Sequence, residues 1–203
     1  MSSNREQILQ STCDLLENQG YHGTGLNEIV RASGAPKGSI YYYFPNGKEE
    51  IVAETVRFAG QRTAERIRLH LGARQDPAEG IRSFLETIAY HIERSGFRAG
   101  GPLTIVASET ATTSERINQA CCAAYDEVRE AFAASFRAGG IAEAKAVSLA
   151  WTVNATIEGA IMLSRTFHSG DPLREAGQQL ACLIRQCRSL ELDPPAGGPD
   201  DVD

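Results

Sequence analysis

The densest set of groups able to hold a phosphate lies in Gly34 to Phe44, which reads GAPKGSIYYYF. Lys37 brings a cation and Ser39 a hydroxyl, while Gly38 has no side chain to keep a neighbour at a distance. Pro36 suits the first position of a helix, where a missing N–H costs nothing. The three residues after it then occupy a first turn whose backbone N–H groups are unbonded and whose end is partly positive. Such an end takes up anions. Tyr41, Tyr42 and Tyr43 follow without a gap. Successive helical residues point about 100° apart, so three tyrosines cannot enter one core. At least one must face solvent, and an exposed tyrosine beside phosphate-binding groups suits a nucleic-acid surface. The competing reading, in which all three only pack helices together, has to place them on different faces.

The elements that must position this stretch are legible on either side of it. Gly20 closes one helical pattern, Leu26 to Ser33 forms a short second one, and Gly34 turns the chain into the third. Two short helices joined by a glycine turn form a helix-turn-helix, here spanning about 25–44. Leu26, Ile29, Val30, Ile40, Tyr43 and Phe44 take the inward positions. The run from Tyr21 through Glu50, with NEIVRASGAPKGSIYYYFPNGKEE at its centre, resembles the DNA-binding domain of the TetR family of bacterial transcriptional regulators. Its Gly-Ala-Pro-Lys-Gly-Ser opening and Phe-Pro-Asn-Gly-Lys exit are most similar to the lincomycin- and flavonoid-responsive repressor branch. The resemblance implies phosphate contacts from Thr24, Lys37, Tyr42 and Lys48. It implies base reading by Ser39 and Tyr41 over Gly38, with Asn27 as a supplement from the second helix. One position departs from the pattern: Gly25 stands where the family has Ser or Thr, which leaves Thr24 to cap the second helix.

The formal net charge is −6, which argues against a nucleic-acid partner until its distribution is considered. Residues 1–75 hold 9 Lys+Arg and 8 Asp+Glu, whereas residues 76–203 hold 11 and 18. The acidity therefore lies outside the proposed reading head, and a local cationic patch can bind DNA on an acidic protein. The opening MSSNREQILQ has no apolar signal region, which predicts a cytoplasmic protein. No apolar run reaches the ~20 residues of a membrane span. The five cysteines are odd in number and include no CxxC pair, so a disulfide framework is not expected.

The fold class expected is all-α, with about nine helices in a TetR-like arrangement. The expected division is a DNA-binding domain over 1–47, an effector-binding and dimerisation domain over 48–192 entered through the fourth helix, and a disordered tail over 193–203. Capping patterns place helix starts at Ser3 with Glu6, at Asn46 with Glu49, at Asp76-Pro77, near Thr112 with Glu115, and at Asp171-Pro172. The eighth helix, about Ala142 to Phe167, is apolar almost all round. It must be covered on every side, either within a monomer or by a second subunit. Glu158 to Arg165 and Pro172-Leu173 resemble the C-terminal half of the same branch, which implies a homodimer through helices 8 and 9.

The resemblance also implies a small-molecule inducer held among the C-terminal helices, with no cofactor and no metal. Trp151, Asn154 and Glu158 share one face of helix 8, and the two polar ones are costly to bury unless paired with a ligand or a neighbour. Tyr90, Phe97, Tyr125 and Met162 are candidates for an apolar lining, which points to an aromatic, largely uncharged inducer. Three other functions compete, a thiol sensor, an enzyme and a helical adaptor that does not bind DNA. Adjacent Cys121 and Cys122 could form a thiol sensor. An enzyme finds little material: His22, His70, His91 and His168 lack metal-ligand spacing, and no nucleophile elbow, P-loop or dinucleotide fingerprint is present.

Overall fold

The computed structural model describes residues 4–74 and 76–192, with side chains through Arg188. The expected disordered tail and the expected cap at Ser3 lie outside the described residues. Those residues form nine helices and no strands: α1 Asn4–Gly23, α2 Leu26–Ser33, α3 Lys37–Tyr43, α4 Lys48–Gly72, α5 Pro77–Arg94, α6 Pro102–Thr110, α7 Glu115–Ala138, α8 Glu143–Phe167 and α9 Asp171–Leu192.

Three apolar clusters hold these helices together. Ile8 and Leu9 of α1, Ile29 of α2, Ile40 and Phe44 around α3, and Ile51 of α4 close the N-terminal one. Leu16, Val52, Val56, Val106, Ile117 and Cys121 join α1, α4, α6 and α7 in the middle. The largest runs from Ala64 to Cys187 and packs α4 and α5 against α7, α8 and α9. The α4–α7 crossing is very close: a Cβ on Gly60 would come within 2.6 Å of the Ala124 Cβ. Non-bonded carbons do not approach so near, so only glycine fits at position 60 without displacing α7.

Several helix starts differ from the sequence expectation. Pro36 is the N-cap of α3, at φ −55 and ψ 138, and the helix begins one residue later. Gly47, at φ 76, precedes α4, and it is Glu50 that reaches back, accepting from Asn46 N at 2.9 Å. Glu49 points instead at the Ser114 hydroxyl. Ser114 caps α7 by accepting from Ile117 N at 3.2 Å, in place of Thr112. Asp76 caps α5 as its Asp-Pro pair predicts, accepting from Ala78 N at 3.1 Å. Asp171 is already inside α9, where the Ser169 hydroxyl accepts its N–H at 3.1 Å.

Helix α8 is long and apolar enough, by length and composition, to cross a membrane. That differs from the reading of residue runs alone, because polar residues are spaced thinly along all 25 residues. One side of α8 packs Leu149, Val153 and Ile157 into the core. Trp151, Met162, Leu163 and Phe167 stand in solvent, Phe167 at 69% exposure.

Candidate nucleic-acid interface and inner cavity

The tyrosine run is divided as helix geometry requires. Ile40 and Phe44 are fully enclosed, and half-buried Tyr43 packs on the same cluster. Tyr41 is 47% and Tyr42 80% exposed. The Tyr42 ring meets the Tyr43 ring edge-on, with centroids 5.1 Å apart. Lys37 and Gly38 are exposed at the first turn of α3, with Ser39 half-buried beside them, and nothing lies within 4 Å of a Cβ built on Gly38. Asn27 is exposed on α2. The left-handed turn at Gly34, φ 62, sets α3 against α2, and Gln7 Nε2 of α1 donates to the Ser33 carbonyl at 2.8 Å to fix the corner.

Two expected phosphate contacts are placed differently. Thr24 is fully buried and its hydroxyl donates to the Gly20 carbonyl at 2.7 Å, so it neither caps α2 nor reaches a ligand. The break at Gly20, φ 71 and ψ −176, frees that carbonyl for Thr24. The α2 start is satisfied by Glu28, which accepts from Gly25 N at 2.8 Å. Lys48 is half-buried: its Nζ donates to the Tyr21 carbonyl at 2.7 Å and lies 4.0 Å from the Tyr21 ring centroid. Burial lowers its pKa, while the charges of Glu109 and Glu28 act the other way. Lys48 thus ties the end of α1 to the start of α4, and its remaining N–H groups are what it can offer a phosphate.

A cavity of about 470 Å³ opens among α1, α4, α5, α6, α7 and α8. Phe58, Phe84, Ile88, Leu103, Phe132 and Ile157 make it largely apolar, and Asn154, Glu158 and Thr104 are its inner polar groups. A second hollow of about 260 Å³ between α6 and α8 includes Met162. Burial raises the Glu158 carboxyl above its ordinary range, partly offset by the hydrogen bond from the Thr104 hydroxyl.

The candidate lining residues are dispersed. Asn154 and Glu158 face the cavity, but Trp151 does not. It turns to solvent at 54% exposure with the Arg129 guanidinium 5.2 Å from its ring. Those three residues lie on one broad face, yet the side of α8 that is open begins at Trp151. Tyr90 is exposed beside Arg94 on the outer side of α5. Phe97, itself at φ 62, stacks on His168 with centroids 5.2 Å apart. Tyr125 lines neither hollow; burial and the nearby Glu158 charge push its phenol up to about 12.

The contacts that bind the cavity to the head leave no pattern in the sequence. The Glu17 carboxylate of α1 accepts from both Gly100 N and Gly101 N at 2.6 Å, at the start of α6. Glu109, at the other end of α6, accepts from Tyr21 N at 2.8 Å and His22 N at 3.1 Å. Gly20 stands at φ 71, where a side chain would be strained, and a Cβ there would also come within 2.3 Å of Glu109 Oε1 and press on that tie.

Residues 8–55 match the family model for bacterial regulatory proteins of the tetR family, and residues 77–179 match that for the LmrA/YxaF-like C-terminal domain of transcriptional regulators. The chain belongs to the TetR family. A relative from Bacillus subtilis, named uncharacterised HTH-type transcriptional regulator YxaF, is 39% identical over 90% of this chain and 95% of its own length. The HTH-type transcriptional regulator LmrA of the same organism is 38% identical over 90% and 97%. A TetR transcriptional regulator from Chloroflexus aurantiacus, whose crystal structure is known, superposes with a TM-score of 0.73 at 30% identity, covering 90% of this chain and 94% of that one. The protein is therefore a transcriptional regulator with the TetR fold and an LmrA/YxaF-like C-terminal domain.

Proposed function

We propose that this regulator binds a palindromic DNA operator as a homodimer and acts as a repressor, leaving the operator when a small aromatic or largely apolar inducer enters the inner cavity. The observation that carries the reading is the division of α3: Ile40 and Phe44 anchor it while Tyr41, Tyr42, Lys37 and Gly38 stay open to a duplex. Lys37, Tyr42 and the free N–H groups of Lys48 supply phosphate contacts, and Ser39, Tyr41 and Asn27 supply base reading. Residues 1–47 form the reading head in this account. Residues 48–192 hold the effector and the dimer contact, with α4 as the link.

The dimer reading is supported by the apolar strip of α8. Trp151, Met162, Leu163 and Phe167 are large side chains left in water by a single copy, and a two-fold contact through α8 and α9 would cover them. Such a pair would set two α3 helices into successive major grooves about 34–36 Å apart. An inducer preferring another separation of the heads would draw the population off DNA. Work of this kind belongs in the cytoplasm, where the DNA is.

The thiol-sensing alternative has less support. Burial pushes the Cys121 thiol up to about 11, with a further rise from Cys122, and the reactive species is the thiolate. Cys122 is exposed and donates towards Asn118 Oδ1 at 3.6 Å.

The deciding experiment is a gel-shift with duplex fragments from the region upstream of the protein's own gene, compared with Lys37→Ala and Tyr42→Ala variants. Retention of one palindromic fragment by the wild type, weakened in both variants, is the expected outcome. Equal retention of every fragment by all three proteins would sink the reading.

A further inference from the structure

The inner cavity and the outer hollow share five residues, Gly100, Gly101, Thr104, Glu158 and Ile161. Glu158 and Thr104 meet in the partition between them. The carboxylate is unusual in what surrounds it. Among the described residues it forms no ion pair, and its one hydrogen-bond donor is the neutral Thr104 hydroxyl. Asn154, one turn earlier on α8, is buried with its amide at the same cavity. The cations of the inner lining, Arg62 and Arg66, are on α4 with exposed side chains, and Arg62 is given to Gln10 Oε1 at 2.6 Å, while His91 on α5 is exposed and Arg165, two turns further along α8, lines the outer hollow without pairing with Glu158.

Glu158 is half-buried, and a carboxylate partly removed from water without a cation has lost hydration and gained little in return. Coulomb attraction in such surroundings is much stronger than in bulk water. A cationic ligand group would supply the missing partner after the cost of enclosing the carboxylate has already been met in folding. A neutral group gains only a hydrogen bond there, and an anionic group adds repulsion. The lining has a large apolar share, Gln10, Asp14, Glu17, Thr63 and His91 add polar groups from α1, α4 and α5, and the volume falls in the range of small-molecule sites.

The geometry points to Glu158 as the recognition carboxylate for an amphiphile with one protonated amine on an apolar body. The body fills the inner cavity, the ammonium donates to Glu158, and the Asn154 carbonyl accepts a second N–H. This rests on the cavity being the effector site. It adds the charge of the ligand and a route outwards: an ammonium that takes Glu158 from Thr104 acts on α6, whose two ends are held to α1 through Glu17 and Glu109.

The test compares 4-phenylbutylamine, 4-phenylbutanol and 4-phenylbutyrate on the full chain by titration calorimetry. The amine is expected to bind about tenfold or more tightly than the alcohol, and the carboxylate worst. In Glu158→Gln the amine and alcohol bind alike, with the alcohol's affinity unchanged and helicity retained. Thr104→Val, which removes the internal donor and keeps the charge, strengthens amine binding and serves if Glu158→Gln does not fold. An alcohol as good as the amine, a preference that survives Glu158→Gln, or binding of none of the three overturns the assignment. Operator retention is read in the same samples. Release by the alcohol and not by the amine sinks the amine site alone. Amine binding that leaves the operator complex intact sinks the inducer reading and spares the site.

Discussion

Glu109 accepts the Tyr21 backbone N–H at 2.8 Å, although 88 residues separate them in the chain. With Glu17 on Gly100 and Gly101, this fastens both ends of the nine-residue α6 to the last turns of α1. Each carboxylate serves two N–H groups that would otherwise lack a partner at a helix end or break.

Glu17→Ala and Glu109→Ala should each lower unfolding free energy by about 1–2 kcal/mol, since hydrogen bonds to charged groups are worth more than neutral ones but both sites are partly solvated. Because the two ties act on the same pair of helices, the double variant should depart from additivity by at least about 0.5 kcal/mol. Urea unfolding monitored by helicity checks both, and strict additivity would show that α6 is not held as one unit.

Tyr42→Ala should leave stability within about 0.5 kcal/mol, as exposed substitutions do, yet lower affinity for the operator fragment. Ile40→Ala, two residues away and fully buried, should cost about 2–5 kcal/mol. Thermal unfolding and fluorescence anisotropy on the same pair separate surface from anchor. A strong loss of stability in the tyrosine variant would contradict the division of α3.

Lys48→Gln is expected to act twice. Loss of the bond to the Tyr21 carbonyl should cost about 1 kcal/mol of stability. Loss of the charge should weaken binding to all DNA sequences alike and reduce the salt slope by about one. A salt series of gel-shifts together with a melting curve tests the two parts. A sequence-selective loss would mean that the lysine reads bases.

Leu163→Asp with Phe167→Asp places charges on the open strip of α8. Sedimentation should then report monomers of unchanged helicity that no longer retain a palindromic fragment. Persistence of the dimer would move the interface elsewhere.

Burial holds the Glu158 carboxyl above its unfolded value. The folded state therefore binds the extra proton in the pH range just above that value, and stability falls as pH rises through it. Glu158→Gln removes the dependence, so the variant should gain more melting temperature at pH 8 than at pH 5. An equal gain at both would show that the charge is already compensated.

The head was readable because local rules decide it. Pro36 and Gly34 punctuate the chain, and three adjacent tyrosines cannot share a face. Asp76-Pro77 was readable for the same reason. Thr24 was misjudged because a hydroxyl next to a helix start can turn either way, and the Gly20 break decided which carbonyl it met. Trp151, Tyr90, Phe97 and Tyr125 do not line either hollow, because residue type and amphipathic spacing identify a face and not what lies against it. Asn154 and Glu158 stand out in the sequence because polar groups in an apolar helix need a reason, and both line the cavity. Glu17 and Glu109 gave no signal, since their partners are backbone groups far along the chain.

The contact at Gly60 and Ala124 has a mechanical consequence. Gly60 lets α4 and α7 come closer here than any larger residue would allow, so a change in their crossing angle would turn about this point. About twelve residues separate Gly60 from Lys48, a lever arm of about 18 Å at 1.5 Å per residue. A swing of about 3° around that fulcrum would carry the N-terminal tip of α4 by about 1 Å, and whatever rides on the tip would go with it.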